Sequence, residues 1–162
     1  MTASSPDYLE GGCSCGKVRY RLRMPPMFVN CCHCTDCQRQ TGSAFVINAL
    51  TETDRIELLQ GAPEPISMPT ESGRPHDIYR CPDCKVALWS DYGRRPNLRF
   101  LRVGTLDDAG ALAPDAHIFT RSKVPWVRLP EGARAFEIYY DMKTEWSPES
   151  LKRRETILGP GK

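Results

Sequence analysis

The spacing of the cysteines constrains this chain more than any other feature of its sequence. Eight cysteines fall into three close groups, which are Cys13-x-Cys15, Cys31-Cys32-x-Cys34-x-x-Cys37 and Cys81-x-x-Cys84. Two sulfurs that bind one tetrahedral ion lie about 3.8 Å apart, so they come most easily from a single tight loop. We therefore expect at least six of the cysteines to be metal ligands. The alternatives are disulfides and small buried core residues, which rarely produce three groups at chelating spacing.

The two outer groups together supply one complete ligand set. A closed structural zinc site needs four ligands, and each outer pair provides two. We therefore predict that Cys13, Cys15, Cys81 and Cys84 share one zinc ion. Glycines on both sides of the first pair permit a sharp turn, and Pro82 presets the turn within the second pair.

The middle group is expected to form a second zinc site of a different kind. Cys32, Cys34 and Cys37 have the spacing to meet at one ion from a strand end and a helical turn. Three thiolates leave a fourth position open, which distinguishes catalytic from structural zinc sites. If the segment is extended, Cys31 points to the opposite face; in the alternative, Cys31 closes the site. His33 is expected to turn outward rather than to bind.

Composition and charge give no sign of a nucleic-acid or membrane partner. The 22 Lys and Arg residues nearly balance the 20 Asp and Glu residues, which leaves a net charge of +2. A basic patch would need Arg94, Arg95, Arg99 and Arg102, but the last two are offset by three in a strand and face opposite sides. The first ten residues lack a secretory signal pattern, and no stretch approaches the roughly 20 apolar residues of a membrane span. The expected location is therefore the cytoplasm, where thiols stay reduced.

The hydrophobic pattern predicts a mainly β domain of short antiparallel strands with few short helices. The predicted strands are residues 17–23, 43–50, 56–60, 77–80, 86–90, 98–103, 117–120 and 135–140. One short helix is expected after Thr35. A second is expected after Ser147, where serine caps the helix and Pro148 takes its first position. Residues 9–140 are expected to form the domain, and residues 141–162 a charged tail with this loosely attached helix.

A set of motifs runs in order along nearly the whole predicted domain. The motifs are GGCSCGKVRY at 11–20, CHCTDCQRQTGSAF at 32–45, CPDC at 81–84, VGTLDD at 103–108, HI at 117–118 and KVPWV at 123–127. They closely resemble the glutathione-dependent formaldehyde-activating enzyme family, which also includes the centromere protein V domain. One departure is Lys85, where the family usually has glycine; a lysine with positive φ would cost about 1 kcal/mol and change the local loop.

The resemblance implies a β-tent fold that holds two zinc ions per chain. It implies that a structural zinc is bound by Cys13, Cys15, Cys81 and Cys84, and a catalytic zinc by Cys32, Cys34 and Cys37. The implied activity is that of a carbon–sulfur lyase, which joins glutathione and formaldehyde to S-(hydroxymethyl)glutathione or runs the reverse cleavage. The implied partner is a small-molecule thiol such as glutathione. The centromere branch of the family supports the alternative, a non-catalytic zinc-stabilised binding module.

Candidate substrate groups lie just beyond the middle cysteine group and near the last motifs. They are Arg39, Thr41, Ser43, His117, Arg121, Lys123 and Trp126. Arginines can form paired hydrogen bonds with the two carboxylates of glutathione. In the simpler interpretation the arginines are solvated surface, Trp126 is core and His117 is a structural histidine. The sequence therefore assigns no substrate-binding residue.

Overall fold

A computed structural model describes residues 6–160, which form ten strands and three α-helices. Residues 1–5, the first half of the segment considered for a secretory signal, lie outside this range. The strands are β1 (Tyr8–Gly12), β2 (Arg19–Arg23), β3 (Phe28–Cys32), β4 (Val46–Glu52), β5 (Ile56–Gln60), β6 (Glu64–Met68), β7 (His76–Arg80), β8 (Ala87–Tyr92), β9 (Leu98–Arg102) and β10 (Ala116–Ile118). The helices are α1 (Thr35–Thr41), α2 (Met142–Glu145) and α3 (Pro148–Leu158). The predicted mainly β class with few short helices is confirmed. None of the helices between residues 6 and 160 combines the length and the hydropathy of a membrane span.

The strands form two sheets of unequal size. The smaller sheet has the order β1-β2-β5, and the larger has the order β10-β3-β4-β9-β8-β7-β6. Neighbouring strands are antiparallel except for β10, which runs parallel to β3 at the edge of the larger sheet. The cysteine groups lie at strand ends in both sheets, so the topology decides which thiols meet.

One buried core contains side chains from both sheets. Tyr20 and Leu22 alternate with partly exposed basic residues along β2 and are fully buried, as the period-2 pattern predicts. The ring of Tyr20 meets Trp89 of β8 edge to face, with ring centroids 5.7 Å apart. Leu101 of β9 lies in the same cluster. Apolar burial here holds the small sheet against the large one.

A second core ties the C-terminal segment to β3 and β4. Trp146 is 5% exposed and stacks on Phe28 with ring centroids 5.4 Å apart. Its indole nitrogen donates a hydrogen bond to the hydroxyl of Tyr140 at 3.0 Å. Helix α3 adds a further contact to the same region, since Ser150 Oγ donates a hydrogen bond to the carbonyl of Met27 at 2.7 Å. The segment that follows residue 140 therefore packs on the β structure through buried groups.

Most of the predicted elements are present, with shifted ends. Strand β5 has the predicted bounds, and α3 begins at Pro148 with the Ser147 side chain accepting a hydrogen bond from the Ser150 N–H. The patterns did not predict β1 or β6, and for β3 they indicated only that Cys32 lies at a strand end. The predicted strand 135–140 is wrong, because only Ala135 forms a β-bridge, to His117. Phe119 adopts a left-handed φ of 56°, so the amides of residues 119–121 still donate to the carbonyls of residues 136–138 but form no regular ladder.

Two tryptophans allow the packing of the C-terminal segment to be tested. We expect Trp146→Ala to lower the free energy of unfolding by about 3–5 kcal/mol, because it removes a buried ring from the second core. Trp126 is 73% exposed and serves as the matched control, with an expected change within about 0.5 kcal/mol. Urea unfolding of both variants measures the difference. Equal stabilities would contradict the assignment of Trp146 to the folded core.

Candidate metal centres

Four thiols from the two sheets meet at one point, which we call the first centre. Cys13 and Cys15 follow β1, whereas Cys81 and Cys84 lie in the turn between β7 and β8, and all four sulfurs lie within 4.8 Å of one another. The sulfur of Cys15 is 3.5 Å from that of Cys13 and 3.7 Å from that of Cys81. These separations are close to the edge of a tetrahedron with metal–sulfur bonds of about 2.3 Å. The donor set therefore fits a closed metal site.

The backbone around the first centre is shaped to bring the thiols together. A Cβ atom on Gly12 would lie 2.4 Å from the carbonyl oxygen of Val18, so only glycine fits where the chain turns. That close approach lets the amide of Val18 donate to the Cys13 sulfur at 3.3 Å. Lys85 has a φ of 63°, as the comparison with family glycines predicted.

Local hydrogen bonds favour the ionised form of one ligand in the first centre. The backbone N–H groups of Val86 and Cys15 lower the pKa of the Cys84 thiol to about 6. A thiolate is the form that binds metal. The turn thus supplies an ionised sulfur at neutral pH.

Three further thiols, from Cys32, Cys34 and Cys37, lie within 4.8 Å of one another and form the second centre. Cys32 ends β3, Cys34 is the N-cap of α1, and Cys37 lies one turn inside that helix. The Cys34 sulfur accepts a hydrogen bond from the Cys37 amide at 3.3 Å, which fixes it at the helix start. No fourth His, Cys, Asp or Glu between residues 6 and 160 joins this group. The donor set fits a metal ion with an open coordination position.

The thiols of the second centre cannot all ionise easily by themselves. Hydrogen bonds from Cys32 and Cys37 lower the pKa of Cys34, while hydrogen bonds to Cys34 and Cys37, together with burial, raise the pKa of Cys32. Like charges at this separation oppose each other. Ionising all three sulfurs therefore requires a cation close to them.

Cys31 lies apart from the second centre, on the opposite face of β3. Its sulfur is 3.6 Å from Nε2 of His33, and the same nitrogen is 3.1 Å from Nδ1 of His117. The alternation of an extended strand thus separates Cys31 and His33 from Cys32 and Cys34. The outward orientation predicted for His33 is wrong, because this ring is fully buried against His117. Burial also lowers the pKa of His33 to about 4, so the ring is neutral.

The second centre lies in the wall of a cleft of about 1030 Å³. Five arginines line the cleft, namely Arg74, Arg95, Arg102, Arg121 and Arg154. Only two lining residues, Asp36 and Glu71, carry a carboxylate. An excess of positive charge in a concave site attracts anionic ligands. The cleft therefore suits a small molecule that carries carboxylates.

The substrate groups predicted from sequence mostly lie elsewhere. Of the seven candidates, only Arg121 lines the cleft. Arg39, Thr41 and Ser43 are exposed. The interpretation of Trp126 as core is also wrong, because it is among the most exposed hydrophobic residues.

Other cleft residues were missed, since they come from separate segments that no local spacing connects. They include Arg74, His76, Tyr92, Tyr139 and Arg154. Arg99 and Arg102 face opposite sides of β9, as their offset predicts: Arg99 pairs with Asp91, and Arg102 lines the cleft. The geometry does not place these two arginines on one nucleic-acid-binding face.

The sequence of the chain matches a known protein family. The sequence profile of the family "Glutathione-dependent formaldehyde-activating enzyme" matches residues 8–122. The chain belongs to this formaldehyde-activating family. A Halomonas elongata protein that carries the provisional name of glutathione-dependent formaldehyde-activating enzyme is 30% identical over 147 residues, covering 85% of this chain and 93% of the relative. A crystal structure of a Rhodobacter sphaeroides protein aligns with 62% of this chain and 89% of its own, with a TM-score of 0.48 and 18% identity.

The first centre gives a test of stability in this family member. Two of its sulfurs belong to Cys15 and Cys81, which lie 66 positions apart in the chain. A structural zinc contributes about 10–16 kcal/mol to folding, whereas a whole domain is typically stable by about 5–15 kcal/mol. We expect Cys84→Ser to leave little folded protein, whereas Cys34→Ser should lose one metal ion and still fold. Thermal unfolding and metal analysis of both variants measure this. Unchanged thermal unfolding of Cys84→Ser would contradict the structural role.

Buried histidines give a test by pH. Burial lowers the pKa of His76 to about 4, below the ordinary value near 6.5. Its contribution to stability is therefore complete above pH 6.5 and is lost as the pH falls toward 4, with a slope of up to about 1.4 kcal/mol per pH unit. We expect His76→Gln to show a shallower loss of stability across this window. Urea unfolding between pH 7 and 4 compares the two proteins, and identical slopes would contradict the burial of a neutral His76.

Proposed function

We propose that this protein is a zinc-dependent carbon–sulfur lyase that joins glutathione and formaldehyde to S-(hydroxymethyl)glutathione, or cleaves that product. In this proposal the first centre holds a structural zinc and the second centre a catalytic one, within a domain that spans residues 9–140. The observation that carries the proposal is the three-thiol centre with an open position in an arginine-lined cleft. Family membership and the name of the relative support the choice of substrates.

The chemistry needs the sulfur of the substrate in its ionised form. A free thiol has a pKa near 8.5 and is only a few per cent ionised at pH 7. A zinc ion held by Cys32, Cys34 and Cys37 would deprotonate a thiol that takes the open position. Full ionisation raises the thiolate population by roughly 30-fold, which corresponds to about 2 kcal/mol.

The bond changes balance without an oxidant or a reductant. The sulfur lone pair attacks the carbonyl carbon of formaldehyde and forms the carbon–sulfur bond. The electrons of the carbonyl π bond move to the oxygen, which takes up the proton that the thiol released. In the reverse direction the same carbon–sulfur bond breaks. Because ionisation contributes little, most of the rate enhancement must come from holding the two reactants together.

The cleft residues supply that positioning in the proposal. Arg74, Arg121 and Arg154 are candidates for paired hydrogen bonds to the two carboxylates of glutathione. Asp36 and Glu71 offer the opposite charge for its ammonium group. A molecule with two acids and one amine therefore matches the mixed charges of the lining. Eight free thiols also support a cytoplasmic location, where such groups stay reduced.

Native mass spectrometry with and without glutathione tests the proposal. We expect two zinc ions per chain and a glutathione adduct that disappears in Cys34→Ser. Cys31→Ser is the matched control, because Cys31 lies on the other face of β3 and should leave both the second zinc and the adduct in place. Exchange NMR with labelled formaldehyde should show faster interconversion with S-(hydroxymethyl)glutathione when the protein is present.

Other outcomes separate the alternatives. Two zinc ions with neither adduct nor faster exchange would favour the non-catalytic binding module. A single zinc ion would contradict the metal assignment of the second centre. Loss of the adduct in Cys31→Ser as well would mean that Cys31 belongs to the site.

A further inference from the structure

Arg102, the last residue of β9, is a buried cation in the wall of the cleft. Only 6% of its surface is exposed. Its Nη1 donates to Oδ1 of Asn48 at 2.5 Å, and its Nη2 donates to Oε1 of Gln40 at 3.1 Å. Its Nε is buried and has no hydrogen-bond partner within residues 6–160. Both partners are neutral amides, so they orient the guanidinium and leave its charge uncompensated.

No carboxylate of the described residues lies within ion-pair distance of Arg102. Arg99, on the opposite side of the same strand, is similarly buried but has Asp91 at 3.4 Å. A buried charge without a partner is strongly unfavourable, and proteins normally compensate it with an opposite charge. The position of Arg102 therefore calls for an anionic group nearby.

The second centre lines the same cleft as Arg102 and becomes anionic once its three thiolates hold a divalent ion. Asn48 pairs across the sheet with both Arg102 and Asn30, and Asn30 lies two residues before Cys32 in β3. Gln40 lies in α1, the helix that carries Cys37. Burial lowers the pKa of Arg102, and the sulfurs of Cys37, Cys32 and Cys34 oppose that shift in part when they are ionised. Asn48 and Gln40, which hold the guanidinium, thus lie in or beside the elements that carry the three thiols.

We propose that Arg102 is the buried counter-charge of the second centre and tightens both metal binding and thiolate binding there. Three thiolates around a divalent ion carry one net negative charge, and a thiolate as fourth ligand adds another. A fixed cation in a poorly solvated wall stabilises both states. Arg102 is a positioning residue, because it acts through the charge of the cysteine sulfurs. The inference rests on the proposed function in one respect, namely that the second centre binds a metal ion.

The first test compares the two zinc ions within each protein by chelator competition. We expect Arg102→Met to weaken the second zinc by about tenfold or more, through loss of a buried charge interaction. The first zinc should be unchanged and reports that the chain is folded. Arg102→Lys should recover most of the affinity for the second zinc, since it keeps the positive charge but not the paired hydrogen bonds to Asn48 and Gln40. Arg99→Met is the matched control and should leave the second zinc as tight as in the wild type.

A second test asks whether the charge acts at the sulfur or on the rest of the substrate. The probes are 2-mercaptoethanol, which has no carboxylate, and imidazole, a neutral ligand, each added to protein carrying cobalt(II) in the second centre. We expect Arg102→Met to weaken the binding of 2-mercaptoethanol, which is measured by its sulfur-to-cobalt charge-transfer absorption. The binding of imidazole should be unchanged. Loss of glutathione binding alone would make Arg102 a carboxylate-binding residue and overturn the proposal.

The remaining outcomes are distinguishable. If the wild type binds two zinc ions and Arg102→Met holds the second as tightly, the counter-charge proposal is overturned and the proposed function stands. If the wild type binds no second metal ion, both fail together. If Arg99→Met weakens the second zinc as much as Arg102→Met does, the effect is general destabilisation and the proposal is also overturned.

Discussion

The meeting of four sulfurs from two different sheets is the constraint on which the rest of this fold depends. Cys13 and Cys15 leave the small sheet after β1, and Cys81 and Cys84 leave the large sheet after β7. The edge-to-face contact of Tyr20 and Trp89 also joins the sheets, mainly through apolar burial, which is non-directional. A tetrahedral ion sets distances and angles as well. It would therefore fix the relative position of the sheets and, with them, the cleft that the large sheet supports.

The second centre depends on a simpler rule, the alternation of side chains along a strand. Four consecutive residues from Cys31 to Cys34 carry metal-binding groups, yet only two of them face the cleft. The other two meet His117, which arrives on the parallel edge strand β10. The short strand β10 thus places His117 as a polar partner beside the buried His33, away from the thiols of the second centre. This arrangement leaves the second centre with three thiols and an open side.

The sequence predicts the parts of this molecule that depend on short spacing. The β2 alternation and the Ser147 cap each involve residues a few positions apart, and each is present as expected. The closely spaced cysteines also bring their sulfurs together, whereas their role as metal ligands stays a prediction. The strand predicted at 135–140 is wrong because its hydrogen bonds with residues 117–121 become irregular at the left-handed Phe119, and no local pattern shows this. The lining of the cleft is harder to predict from the sequence, because its residues come from separate segments. The sequence predicts Arg102 as part of an interrupted basic patch, whereas the structure buries it in the lining of the cleft that also holds the three thiols.

The C-terminal segment has a consequence for how relatives can differ. Tyr139, Met142 and Arg154 line the cleft, yet all three lie beyond residues 8–122, the part that the family profile matches. The three thiols of the second centre and part of the cleft lining are thus encoded by separate stretches of the gene. Changes in the second stretch can alter which molecules enter while the cysteines stay as they are. Selectivity and chemistry can therefore evolve at different rates in proteins built on this plan.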